Sequence, residues 1–190
     1  PDLETFRQQA KQGNLIPVFR ELPADLDTPV SVFLKLGQKP PTFLLESVEG
    51  GETLGRFSFL GASPYLVVET RGSQATVQRN GTSQKLSLDG RDPLHLIQEL
   101  LSSTRVVSQP GLPRFFGGAV GYLAYDMVRF FEKLPQTSKD ELGLPDSFFI
   151  FTDTMVVFDH VQHKIKVVSN ARVNGDAEAA YRQAVASIDQ

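Results

Sequence analysis

Ala75-Thr76-Val77-Gln78-Arg79-Asn80-Gly81-Thr82-Ser83-Gln84-Lys85-Leu86-Ser87-Leu88 reads as two short strands joined at Asn80-Gly81. An Asn-Gly pair tolerates the positive φ angles of a type I′ turn, so the stretch is expected to be a β-hairpin. Upstream, Tyr65-Leu66-Val67-Val68 supplies the strand before it. Downstream, Thr154 to Ser169 predicts a second hairpin, with His160-Val161-Gln162-His163 near its tip. Strands in consecutive hairpins with helical patterns between them indicate an antiparallel α+β fold rather than a parallel nucleotide-binding sheet.

The helical patterns have readable starts. Asp2 is placed to cap a short helix with Leu3, Phe6 and Ala10 on one face and Gly13 as its stop. Ile16-Pro17-Val18-Phe19 then reads as a strand. Thr28-Pro29 opens a second helix, with Val30, Phe33 and Leu34 as its expected buried face and Gly37 as its end. Thr42 to Val48 reads as a strand, Glu49-Gly50-Gly51 as a turn, and Phe57-Ser58-Phe59-Leu60 as the partner strand. Asp92-Pro93 opens a helix with Leu94, Ile97, Leu100 and Leu101 inward, and Asp176 caps a last one bearing Tyr181, Val185 and Ile188. Gln136 to Gly143 is the most loop-like stretch.

Composition bounds the function. The chain has 190 residues, 19 basic and 22 acidic, for a formal net charge of -3, which argues against a broad nucleic-acid-binding surface. Cysteine is absent, so disulfides, thiolate nucleophiles and cysteine-ligated metals are excluded. Apolar runs fall far short of the ~18 residues that span a bilayer, and no signal peptide is recognisable at Pro1-Asp2-Leu3-Glu4. A cytoplasmic protein with no nucleic-acid and no membrane partner is the expectation.

Few residues suggest catalysis. His160 and His163 with Asp159 fit a solvated turn better than a metal site, because a third ligand is missing in range. There is no Gly-x-Ser-x-Gly elbow and no phosphate-binding lysine loop. Gly117-Gly118-Ala119-Val120-Gly121 runs on into the alternating Tyr122-Leu123-Ala124-Tyr125, so its glycines are expected to allow close packing in a sheet rather than to cradle phosphate. Asp126 is expected to cap a helix over Met127 to Glu132. No catalytic and no metal-ligating residue is assigned.

Glu46 and Ser47 end the apolar run Phe43-Leu44-Leu45, and Arg56 follows ten residues after Glu46. If the intervening residues turn, Glu46 and Arg56 sit close on adjacent strands. Two readings remain open: a structural ion pair across a hairpin, or a pocket for a zwitterion, with carboxylate for an ammonium, guanidinium for a carboxylate and a hydroxyl to orient.

Leu44-Leu45-Glu46-Ser47, Gly55-Arg56-Phe57-Ser58-Phe59-Leu60-Gly61 and the block from Phe116 to Glu132 with Leu134-Pro135 resemble the amino-terminal domain of anthranilate synthase component I. The resemblance covers nearly the whole chain, so residues 1–190 are read as that amino-terminal, regulatory domain. It implies antiparallel β-sheets packed as a sandwich with flanking helices. It also implies the large subunit of an enzyme that converts chorismate, with ammonia from glutamine, to anthranilate and pyruvate in tryptophan biosynthesis. The Tyr-Asp-x-Val-Arg core at Tyr125 to Arg129, with its following Leu-Pro, looks more like anthranilate synthase than its folate-pathway paralogue, aminodeoxychorismate synthase component I.

By the same resemblance, Leu45, Glu46, Ser47 and Arg56 contribute to a tryptophan feedback-inhibition site. The implied partners are L-tryptophan, a carboxy-terminal chorismate-binding domain and a glutaminase subunit, component II. No cofactor is expected in this domain; Mg2+ is expected in the carboxy-terminal one, which these 190 residues are expected to lack. The chain by itself is therefore expected to be inactive. A non-catalytic amino-acid-binding module is the alternative from another functional class.

Overall fold

The computed structural model describes all residues except 37–38, 48–54 and 136–138. In chain order the elements are α1 (Leu3–Gln9), β1 (Leu15–Pro23), α2 (Pro29–Lys35), β2 (Phe43–Leu45), β3 (Phe57–Gly61), β4 (Leu66–Arg71), β5 (Gln74–Arg79) and β6 (Thr82–Ser87). They continue with α3 (Pro93–Ser102), β7 (Gly118–Leu123), a 3₁₀ helix (Tyr125–Phe130), β8 (Ser147–Thr152), β9 (Thr154–Asp159), β10 (Lys164–Arg172) and α4 (Ala177–Asp189). Among the described residues the strands form two five-stranded sheets, ordered β1-β10-β9-β3-β2 and β6-β5-β4-β8-β7. Every strand pair with a defined register is antiparallel. The chain divides into two units, one of Pro1–Pro64, Thr104–Gly118 and Thr152–Gln190, the other of Tyr65–Ser103 and Ala119–Phe151. The expected antiparallel sheets with flanking helices are therefore present.

In the first unit, β9 and β10 are central strands. Met155 to Asp159 are all buried, which explains why the sequence there is a continuous apolar run rather than an alternation. Phe6, Ile16, Val18, Ala171 and Ala184 form a core where α1 and α4 cover β1 and β10, with the Phe6 and Tyr181 ring centroids 5.2 Å apart. A second core joins Leu60, Val156, Phe158 and Ile165 to Val32 and Phe33 of α2. Lys166 is buried and spans Glu21 on β1, at 2.9 Å, and the Gly111 carbonyl, to which it donates. Asn170 Nδ2 donates to the Phe116 carbonyl at 2.7 Å. A side chain at Gly117 would lie 2.5 Å from that nitrogen, which is why the position is glycine.

Helix α2 starts as expected. Thr28 accepts from the Ser31 N–H while the Ser31 hydroxyl accepts from the Thr28 N–H, a reciprocal capping box, with Pro29 at the first helical position. Its buried face agrees with the expected one at Phe33 and differs at the other positions. Val30 and Leu34 are exposed, whereas Val32 and Phe33 pack inward, because this two-turn helix meets the β3 to β9 core through its 32–33 side. Its expected end, Gly37, lies outside the described residues. Removing the cap by Thr28→Ala is expected to lower stability by about 1 kcal/mol, read from the denaturant midpoint; an unchanged midpoint would contradict the capping role.

In the second unit, the β5–β6 hairpin forms as read. Asn80 and Gly81 have φ of 48° and 82°, the signs a type I′ turn needs. Helix α3 is capped by Asp92, which accepts from the Leu94 and His95 N–H groups. Ile97 is buried and Leu96 and Leu100 pack beside it on Leu66, Val68 and Phe151. Leu94 and Leu101, also expected inward, are exposed instead, because the seam runs through 93, 96, 97 and 100. The glycine-rich segment is strand β7 and carries no phosphate-loop turn into a helix. Asp126 is not a cap: it lies within the first turn of the 3₁₀ helix, whose cap position is Ala124, and its carboxylate accepts from Arg129 Nε at 2.7 Å. No helix among the described residues is long and apolar enough to cross a membrane.

Candidate functional site

The candidate residues gather at one end of the first sheet. β2 is an edge strand, paired to β3 with Phe43 opposite Gly61, Leu44 opposite Leu60 and Leu45 opposite Phe59. The expected strand from Thr42 to Val48 is thus shorter, and the turn at Glu49-Gly50-Gly51 lies outside the described residues, as does Val48. Phe43 is buried under the sheet while Leu45 is 44% exposed and Glu46 and Ser47 follow it into solvent. The burial falls off along the run because β2 leaves the core as it proceeds. The end of β2 therefore carries an apolar side chain, a carboxylate and a hydroxyl-bearing residue at the exposed edge of the sheet.

Arg56 lies just before β3, whose register with β9 sets Phe57 opposite Asp159 and Ser58 opposite Phe158. Of the two readings left open, the ion pair between Arg56 and Glu46 is not formed. Arg56 instead donates from Nε and Nη2 to the two oxygens of Asp159, at 3.0 and 2.7 Å. The cause is topological: β3 has β2 on one side and β9 on the other, and the carboxylate within reach of the guanidinium belongs to β9. This is a two-point fork, the geometry in which arginine binds carboxylate best. The guanidinium carbon also stands 4.9 Å from the Phe57 ring centroid.

Asp159 is only 1% exposed, and its Oδ1 also accepts from the Val161 and Gln162 N–H groups, at 3.2 and 3.1 Å. Burial alone raises a carboxyl pKa. Here the hydrogen bonds from Arg56, Gln162 and Val161 outweigh it, and the Asp159 carboxyl sits below its ordinary value of 3.8. The Arg56 guanidinium is correspondingly raised, first by its hydrogen bond to Asp159.

His160 is the next residue. Its N–H donates to the Arg56 carbonyl at 2.8 Å and its Nε2 lies 2.7 Å from the buried Ser58 Oγ. The hairpin tip is thus exposed at His163 but tied to β3 at Asp159 and His160. The sequence reads Asp159 and His160 as part of a solvated turn rather than a metal site; Asp159 is instead buried and bound to Arg56. The signal that finds them is the pairing of β3 with β9, which no local pattern reveals. Among the described residues, no group of three His, Cys, Asp or Glu side chains is placed to hold a metal ion.

A family model described as chorismate binding enzyme matches residues 40–190. Anthranilate synthase component 1 of Acetivibrio thermocellus is 42% identical over 185 residues, covering 97% of this chain and 37% of that protein. The protein of the same name from Synechocystis sp. is 40% identical over 190 residues, with the same two coverages. The crystal structure of anthranilate synthase component I from Streptococcus pneumoniae TIGR4 superposes with a TM-score of 0.53 at 27% identity, over 88% of this chain and 35% of that one. The chain thus spans little more than a third of the length of the curated relatives it matches. With a family model matched over most of its residues and these relatives along nearly all of them, the chain belongs to the chorismate-binding enzyme family and is homologous to the amino-terminal part of anthranilate synthase component 1.

Proposed function

We propose that the chain is the amino-terminal part of the large subunit of an anthranilate synthase acting in tryptophan biosynthesis in the cytoplasm. The complete protein would convert chorismate, with ammonia drawn from glutamine by a component II glutaminase, to anthranilate and pyruvate. The observation that carries this reading is the 42% identity to an anthranilate synthase component 1 across 97% of the chain. Chemistry on chorismate and Mg2+ binding are assigned to the carboxy-terminal part of the complete protein. No residue of this chain is given a catalytic step, and the chain alone is proposed to be inactive.

The role proposed for this part is regulation. Leu45, Glu46, Ser47 and Arg56 contribute a site for L-tryptophan. Leu45 offers apolar surface to the indole, Glu46 faces the ammonium, Ser47 orients and Arg56 faces the carboxylate. The support is physical: the first three are exposed at the end of an edge strand, and Arg56 belongs to the neighbouring strand's approach. Tryptophan inhibits by favouring a state in which the chorismate site does not close, and it shifts that equilibrium only by its difference in affinity for the two states. A coupling of ~1–3 kcal/mol corresponds to a roughly 5–150-fold change in substrate affinity.

The test uses the complete gene product with chorismate, Mg2+ and ammonium, with anthranilate followed by its fluorescence as tryptophan is added. Anthranilate that forms and then falls with tryptophan supports the reading; none formed refutes it. Ser47→Ala is expected to raise the tryptophan concentration for half-inhibition about tenfold while largely sparing turnover. Inhibition unaltered in that variant would sink the site assignment.

A further inference from the structure

We infer that Asp159 is a positioning residue for the effector site, holding the Arg56 guanidinium so that its free edge meets the carboxylate of an α-amino acid. The inference rests on the tryptophan-site reading above and adds a residue to it. Arginine on a surface samples many rotamers, and fixing one on binding costs affinity. Here that freedom is already removed. Asp159 grips Nε and Nη2 at 3.0 and 2.7 Å, leaving Nη1 as the edge turned away from it. The Arg56 side chain keeps 35% of its surface exposed while Asp159 keeps 1%, so the donor is accessible and its clamp is not.

The clamp is itself held. Asp159 Oδ1 takes the Val161 and Gln162 N–H groups, which fixes the carboxylate against the turn of the β9–β10 hairpin. The Arg56 main chain is pinned from the same side by the His160 N–H at 2.8 Å, and Ser58 beside it by His160 Nε2 at 2.7 Å. The face of Phe57 lies against the guanidinium carbon at 4.9 Å. Each contact restricts the arginine from a different direction. An asparagine at 159 would keep the size but present an N–H₂ to one of the two guanidinium donors, so the fork would open and the arginine would swing.

The experiment measures tryptophan inhibition of the complete gene product and its Asp159→Asn, Asp159→Glu, Arg56→Ala and Ser47→Ala variants, with tryptamine, which lacks the carboxylate, as a second probe. Asp159→Asn is expected to raise the tryptophan concentration for half-inhibition about tenfold, to leave kcat and KM for chorismate near wild type, and to leave any tryptamine effect unmoved. Asp159→Glu, which restores two oxygens, is expected to recover part of the loss, and it carries the test if the asparagine variant does not fold. A general loss of structure would shift both probes and the kinetic constants together, and that result overturns the inference. So does normal or tighter tryptophan inhibition in Asp159→Asn when Ser47→Ala and Arg56→Ala weaken it. If neither Ser47→Ala nor Arg56→Ala changes inhibition, the site reading itself fails and the inference falls with it.

Discussion

Replacing Gly121 with alanine is expected to destabilise the second unit by about 3 kcal/mol, at the upper end of what overpacking usually costs. An ideal Cβ at Gly121 would stand 1.9 Å from the Phe148 carbonyl oxygen and 2.8 Å from the Phe149 Cα. Both are backbone atoms of β8, which cannot rotate aside as a side chain does. Accommodating one methyl group therefore requires β7 to separate from β8. The same close approach lets the Tyr122 and Phe148 rings stack with centroids 6.3 Å apart, so near-ultraviolet circular dichroism should lose signal with the stability. The urea midpoint of the alanine variant is the measurement. A midpoint equal to wild type would show that β7 and β8 do not approach in this way.

Asp159→Ala should cost about 2–3 kcal/mol. Breaking a fully buried ion pair costs about 3–5 kcal/mol, but Arg56 is 35% exposed and recovers water when its partner is lost. What is not recovered is the acceptor for the Val161 and Gln162 N–H groups. The pH dependence carries a sign. Asp159 has a folded-state pKa below its ordinary 3.8, so the unfolded chain takes up its proton first as pH falls. Its contribution is full above about 3.8 and is lost as pH drops below that toward the folded value. Wild type minus Asp159→Ala should therefore be a constant difference near neutral pH that shrinks below pH ~4. Chemical denaturation at several pH values checks this, and a difference that grows in acid would reverse the assignment.

Local chemistry was legible in the sequence, and long-range pairing was not. Asn80-Gly81, Thr28-Pro29, Asp92-Pro93 and Asp176 each act within a few residues, and each turn or cap formed where it was read. Gly121 was legible as a packing glycine because the following residues alternate. The errors share a cause. Which side of α2 is buried depends on where β3 and β9 meet it, so Phe33 packs inward as expected while Val32 takes the place of Val30 and Leu34. Asp126 reads as a cap because it precedes an apolar helical pattern, but the helix begins at Tyr125, two residues before the expected Met127, and is 3₁₀. Arg56 was matched to Glu46, ten residues before it, whereas its partner is 103 residues after it. The candidate site was thus half visible: its exposed groups could be read from one short segment, and the residue that holds the arginine could be seen only with β9 in place.

The order β1-β10-β9-β3-β2 has a consequence for how the molecule comes into being. Leu15 is registered with Arg172 and Pro23 with Lys164, so β1 is made early, and although Leu15 also meets residues 105–107, it acquires its strand partner β10 only when nearly the whole of this chain has left the ribosome. At ~5–20 residues per second that interval is roughly 7–30 s. Meanwhile the β4–β5–β6 segment finds its hydrogen bonds within a few residues and is free to form first. Ring closure over such a span is slow, and an apolar strand left waiting for it is open to wrong partners. Leu15 to Val18, buried once β10 arrives, is the segment that nascent-chain chaperones should engage during synthesis.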